Sequence, residues 1–219
     1  QKNISNKNNS EFRISYVSAK NKKKKRGIKI KKNQWVNNFN DIFKKKDVDI
    51  IVELIGGAEG AAKKLVFNAL KNKKHVVTAN KSLISKYGDE LSKIAEKNKV
   101  NLEFEAAVCG GVPIIRSIKE GLIANKINRI YGIFNGTSNY ILSSMDNNNT
   151  SFKETLKKAT ELGYAESNPS SDINGDDVAA KVKILSSLSF NSFINKNIHV
   201  EGIKDIDEQD ILNTNKLGY

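Results

Sequence analysis

Asp47-Val48-Asp49-Ile50-Ile51-Val52-Glu53-Leu54-Ile55-Gly56-Gly57 is the stretch that decides the fold. Its apolar residues run on without strict alternation. A strand over 47–55, covered on both faces within a parallel sheet and ended by the glycine pair, is therefore expected. Downstream, Ala61, Leu65, Val66, Ala69 and Leu70 recur at helical spacing within Ala58–Asn72. His75–Thr78 reads as a short strand. Leu83, Tyr87, Leu91, Ile94 and Ala95 form the apolar stripe of a helix over Ser82–Asn98, and Val100–Val108 reads as another strand. Upstream, Arg13–Ala19 alternates as a strand does, residues 20–34 form a lysine-rich loop, and Trp35–Lys46 suggests a short helix. Residues 1–12 are a polar lead-in.

Strand, helix, strand, helix, strand with short links is the pattern of a doubly wound, Rossmann-like α/β sheet. Right-handed crossovers follow, with ligands beyond the carboxyl ends of the strands. The sequence puts Gly56-Gly57, Asn80-Lys81 and Gly110-Gly111 at those ends. Lys81 has a bland alternative as one surface lysine among many.

After Pro113 the pattern changes to α+β. Helices are expected over Pro113–Ala124, Thr137–Met145, Phe152–Leu162 and Asp176–Phe190. Strands are expected over Ile127–Phe134 and Ile198–Ile203, and residues 163–175 read as a long loop. The reading is thus a partial dinucleotide-type sheet domain over 1–112, then a partial α+β domain over 113–219.

Composition narrows the function classes. The chain has 219 residues and a net charge of +13. Lysine is spread along the whole length with asparagine, and the aromatics are not interleaved with it as a base-stacking surface requires. A basic nucleic-acid module is the disfavoured alternative. One cysteine, Cys109, permits no intrachain disulfide and fits a reducing, cytoplasmic setting. No run approaches the ~18 apolar residues of a membrane span. The chain starts at Gln1 without an initiator Met, and both ends are expected to be cuts through a longer protein.

The chemistry concentrates near the helix after Gly175. Asn174 is the expected N-cap. Asp176 and Asp177 stand in the first turn, and Asp177 and Lys181, four apart, are able to pair. At about 100° per residue, Val178, Val182, Ile184, Leu185 and Leu188 fill one arc, and Asp177 and Lys181 fall inside it. Asp176, Lys183, Ser186 and Ser187 supply the solvent face. An inward ion pair is costly unless it is used. The preceding loop adds Tyr164, Glu166 and Asp172, acids able to bind an ammonium group. Asn135-Gly136-Thr137-Ser138 opens another helix, where Thr137 or Ser138 is the expected cap and backbone N–H groups are able to hold an anion.

Four segments resemble homoserine dehydrogenase motifs in the family's order: Asp49–Gly57 (DIIVELIGG), His75–Lys81 (HVVTANK), Glu105–Ile115 (EAAVCGGVPII), and Asn135–Leu142 (NGTSNYIL) followed by Gly163–Lys181 (GYAESNPSSDINGDDVAAK). The resemblance implies reversible reduction of L-aspartate 4-semialdehyde to L-homoserine with NADH or NADPH. It implies Lys181 as general acid–base with Asp177 as its partner, and Lys81 as the other candidate for proton transfer. Glu166 and Asp172 are implied at the amino end of the substrate, Tyr164 in the site wall, and Thr137 with Gly136 at the cofactor–substrate junction. Gly56, Gly57, Asn80 and Lys81 are implied on the cofactor side. Lys20 and Lys22 to Arg26 either meet a 2′-phosphate, favouring NADP, or are solvated loop lysines. A monovalent cation, usually Na⁺, is implied on the backbone carbonyls of Glu105, Val108, Gly110 and Val112. A homodimer is also implied. Departing from the family, the sequence has no glycine-rich pyrophosphate turn ahead of Arg13–Ala19, so the chain alone is expected to bind cofactor weakly and to be inactive.

Overall fold

The computed structural model describes residues 11–192 and 198–218. The chain divides into two compact units, Gln1–Leu83 with Tyr87–Glu103, and Ile84–Lys86 with Phe104–Tyr219.

In the first unit, β1 (Ile50–Glu53), β2 (His75–Thr78) and β3 (Leu102–Glu103) form a parallel sheet in that order. The register pairs Ile50 with His75 and Glu53 with Thr78. Helix α1 (Ala61–Lys71) links β1 to β2, and α2 (Lys81–Asn98) links β2 to β3. With right-handed crossovers and sequential strand order, both helices cover one face of the sheet. Side chains along β1 and β2 accordingly alternate between buried and less buried. Ile51 and Val76 are buried, as are Val66 and Leu70 of α1, while Val52 remains 60% exposed. The expectation of a strand covered on both faces is thus corrected: among the described residues only one face is covered. Glycine starts α1, with Gly60 at φ +73° as its N-cap, and Asn80 starts α2 by accepting the Leu83 N–H.

Other expectations about local structure also shift. Arg13–Ala19 forms one isolated bridge, Val17 to Trp35, because alternation supplies a face but no ladder partner. Trp35–Lys46 contains a 3₁₀ turn, Phe39–Lys44, in place of an α-helix. The strand expected over Val100–Val108 has two residues before the chain enters a 3₁₀ turn at Glu105–Ala107.

The second unit is helical in its described residues. Helix α3 (Ile114–Arg116) continues as a wider π-type turn, Ser117–Gly121. It is followed by α4 (Gly136–Asn148), α5 (Phe152–Glu161), the one-turn α6 (Ser170–Ile173), α7 (Asp176–Ser189) and α8 (Glu208–Lys216). Ile141 and Met145 of α4 bury against Ala159 and Ala165, with Leu156, Ile173 and Ile211 packed around them. Ile127–Phe134 is irregular and joins no ladder, with Tyr131 84% exposed. Ile198–Ile203 is likewise not a strand. Helix α8, which has no apolar stripe of any length to announce it, starts with a reciprocal capping box between Asp207 and Asp210.

The approach to α7 is set by two glycines. Gly175, not Asn174, is its N-cap, at φ +87°, and a Cβ there would stand 2.8 Å from Val200 Cγ1. A Cβ on Gly202 would stand 2.5 Å from the Ile173 carbonyl oxygen. The two backbones are therefore in direct contact, and Ile203 donates its N–H to Ile173 O at 2.8 Å. Gly202→Ala is expected to lower stability by about 1–3 kcal/mol through this overpacking, read as a lower midpoint in urea. An unchanged midpoint would show that the 173–175 turn is not held by this contact.

Candidate active site

Helix α7 carries the ion pair inward. The Asp177 side chain is 3% exposed and that of Lys181 17%, with Nζ 2.7 Å from Asp177 Oδ2. Lys181 also donates to the Phe134 carbonyl at 2.6 Å. An ammonium has three protons; two are spent this way, and among the described residues no hydrogen bond takes the third. The solvent face expected for this helix needs one correction: Ser186 is buried, because the helix is enclosed on more sides than a surface helix and its polar flank also packs.

The segment just before α4 ties the cluster together. Asn135 is buried, and its Nδ2 donates to Asp172 Oδ1 at 2.7 Å and to Asp177 Oδ2 at 2.9 Å. Its Oδ1 accepts the Ser138 N–H at 2.8 Å, so Asn135, not Thr137 or Ser138, is the cap of α4. Thr137 Oγ1 donates instead to the Tyr164 carbonyl at 2.6 Å, and Ser138 Oγ to the Asp172 carbonyl at 3.1 Å. Tyr164 stacks on Tyr140 with ring centres 4.6 Å apart. Gly136 opens α4, whose N-terminal end faces an anion favourably. Asp172, Asn135, Asp177 and Lys181 are thus linked through hydrogen bonds, and Thr137, near Asn135 in the chain, forms a second pair with Tyr164. Glu166 is exposed and makes no hydrogen bond among the described residues.

In the first unit, the ends of β1 and β2 share a second buried network. The Glu53 carboxylate, fully buried, accepts the N–H groups of Ile55 at 2.6 Å and Gly56 at 2.9 Å, and the Thr78 hydroxyl at 2.5 Å. Thr78 Oγ1 in turn accepts the Asn80 N–H, and Asn80 Nδ2 donates to the Gly57 carbonyl at 2.8 Å. Gly56 and Gly57 lie at φ +82° and +80°, and a Cβ on either would meet nothing within 4 Å. Glycine is demanded here by backbone conformation, and the turn keeps open space beside it. Such a turn at strand carboxyl ends, with Asn80 and the half-buried Lys81 next to it, fits one side of a nicotinamide dinucleotide. Lys22, Lys24, Lys25, Arg26 and Lys29 line one concavity with Trp35, while Lys20 is exposed and outside it.

The segment from Glu105 to Pro113 is a turn that the Glu105 carboxylate closes, accepting the N–H groups of Ile115 and Arg116 at 2.9 Å each. Among the carbonyls expected to face a cation, that of Val112 accepts Ile114 N–H at 2.8 Å and that of Glu105 accepts Val108 N–H at 3.5 Å. Each keeps a second lone pair, so the donor set is chemically suited to a monovalent cation. Among the described residues no group of three or more His, Cys, Asp or Glu side chains is placed to hold a metal. No helix there is long and apolar enough to cross a membrane.

Sequence reasoning missed Asn135 as a bridge, since its partners lie 37 and 42 residues away. It missed Glu53 too, although a lone acid on the inward register of an apolar strand was a usable signal.

The family model for the NAD binding domain of homoserine dehydrogenase matches residues 2–105, and the model for homoserine dehydrogenase itself matches residues 113–219. The chain belongs to the homoserine dehydrogenase family. It is 45% identical to the homoserine dehydrogenase of Neisseria gonorrhoeae over 95% of its own length and 48% of that protein's. Among solved structures, homoserine dehydrogenase from S. aureus superposes with a TM-score of 0.84 at 39% identity, covering 100% of this chain and 53% of that one. A hyperthermophilic archaeal homoserine dehydrogenase mutant in complex with NADPH gives a TM-score of 0.71 at 29% identity, over 81% of this chain and 54% of that one. The chain spans about half the length of the curated relatives it matches. In each unit of this family member one buried carboxylate, Glu53 or Asp177, is satisfied by hydrogen bonds. Asp177→Ala should therefore cost about 3 kcal/mol by stranding Lys181, and the added change Lys181→Met should recover part of that loss. Chemical denaturation of the single and double variants decides it; a single variant as stable as wild type removes the buried pair from the account.

Proposed function

We propose that the full-length protein containing this chain is a homoserine dehydrogenase, interconverting L-homoserine and L-aspartate 4-semialdehyde. The observation that carries this reading is the Asn135–Asp172–Asp177–Lys181 cluster, built on the buried Asn135 and Asp177, in a chain of this family.

Lys181 is the general acid–base candidate. Its third N–H is directed to the substrate oxygen, and it donates the proton as the carbonyl is reduced. Asp177 pairs with Lys181 and fixes its rotamer. Lys81 remains the other candidate for this proton. Asp172, with Glu166, takes the substrate ammonium, while Tyr164, Thr137 and Gly136 form the surroundings of the amino acid. A bound NADH or NADPH supplies the hydride. Gly56, Gly57, Asn80 and Lys81 are the residues of the first unit that would hold it. The concavity of Lys22, Lys24, Lys25, Arg26 and Lys29 supports the 2′-phosphate reading and thus NADP; the exposed Lys20 contributes less. A sodium ion on the carbonyls of Glu105, Val108, Gly110 and Val112 would brace the turn between the two family domains. The resemblance also supports a homodimer, and the single cysteine a cytoplasmic setting.

The test is homoserine oxidation by the full-length protein, compared with other amino acids. Lys181→Ala is expected to lower the rate by on the order of 10²-fold or more. Near-normal turnover in that variant would remove Lys181 from the chemistry in favour of Lys81. Faster oxidation of another amino acid would move the protein to a different dehydrogenase class, and a salt-sensitive gel shift without oxidation would point to nucleic acid.

A further inference from the structure

The amide of Asn135 lies between the two carboxylates, and its orientation is dictated by its neighbours. With Oδ1 on the Ser138 N–H and Nδ2 between two carboxylates, every contact joins a donor to an acceptor. Rotating the amide by half a turn would set its oxygen against both carboxylates and its NH₂ against an N–H. Two negative charges are thereby held by one uncharged donor pair, and the single positive charge, Lys181, sits on one of them only.

We infer that Asn135 is a positioning residue that divides the work of the two carboxylates; this rests on the homoserine dehydrogenase reading above. Asp177 Oδ2 receives both Asn135 and Lys181, so Asp177 serves as counter-ion to the lysine. Asp172 receives Asn135 on Oδ1, and among the described residues no hydrogen bond occupies its Oδ2. That oxygen is left to a ligand ammonium. Lacking the bridge, Asp172 loses the donor that fixes its rotamer, and the two acids are free to compete for Lys181. The amide therefore acts on substrate affinity and on the placement of Lys181, without touching the reacting atoms.

Asn135 is also a helix cap, and the two roles are separable by chemistry. Ser and Asp are N-cap residues as good as Asn, but neither offers two N–H donors. Asn135→Ser and Asn135→Asp in the full-length protein should therefore keep the cap and lose the bridge. The expected result is a folded protein, a rise in KM for homoserine of tenfold or more, and a smaller fall in kcat. Asn135→Ser should stay closer to the wild-type melting temperature than Asn135→Asp, whose added carboxylate faces Asp172 and Asp177. Asn135→Asp adds a negative charge beside Lys181, which must be neutral to accept the proton in homoserine oxidation, so the acid limb of the pH–rate profile for that reaction should move to higher pH; a plain cap has no means of moving it. If either folded variant keeps the wild-type KM and pH profile, the inference is overturned. If neither variant folds, Asn135 is a structural residue and the inference is likewise overturned. A wild-type protein that does not oxidise homoserine overturns the functional reading and this inference with it. An active wild type beside unaltered variants overturns the inference alone.

Discussion

The cost of burying a carboxylate governs both halves of this molecule. Taking an ionised acid out of water is unfavourable by several kcal/mol unless donors replace its hydration. Glu53 and Asp177 are both buried, and each gathers donors from separate stretches of chain. Around Glu53 the donors are two backbone N–H groups of the turn after β1 and the hydroxyl that ends β2. Around Asp177 they are an amide from the start of α4 and an ammonium one turn along α7. The acid in each case fixes how separate elements end, because any looser arrangement leaves a charge uncompensated.

This explains why both buried networks stand at element ends. A strand end or a helix start has backbone groups left over from regular pairing, and the buried acid uses them. At β1 the leftover N–H groups of Ile55 and Gly56 go to Glu53, which releases the glycine turn to take positive φ. At α4 the leftover N–H of Ser138 goes to Asn135, whose other end reaches the two acids. Rigidity at these points comes from satisfied hydrogen bonds, and it costs no apolar core.

Much of the fold was legible in the sequence because periodicity reports local geometry. His75–Thr78 was read with its observed limits, and α1, α2, α4, α5 and α7 within a few residues. The failures share a cause. Arg13–Ala19, Ile127–Phe134 and Ile198–Ile203 have the composition of strands, but a strand needs a neighbour, and composition does not name one. The inward placement of Asp177 and Lys181 was legible from the helical wheel, since their angles fall among Val178, Val182 and Leu185. The links to Asn135 and to the Phe134 carbonyl were not, because they join residues some forty positions apart. The roles of the same residues came from motif resemblance, not from spacing.

The contact between Gly175 and the chain at Val200–Glu201, and between Gly202 and the chain at Ile173–Asn174, bears on how the cluster would be transplanted. Every member of it lies between Phe134 and Lys181, so a designer grafting it onto another scaffold would be tempted to stop after α7. The graft would carry all the donors and acceptors and lack the clamp. Residues 200–203 supply no chemistry, yet they hold the turn from which Asp172 and Asp177 both project. The portable unit is therefore longer than its hydrogen-bonded cluster, and it ends at a stretch that contributes close packing alone.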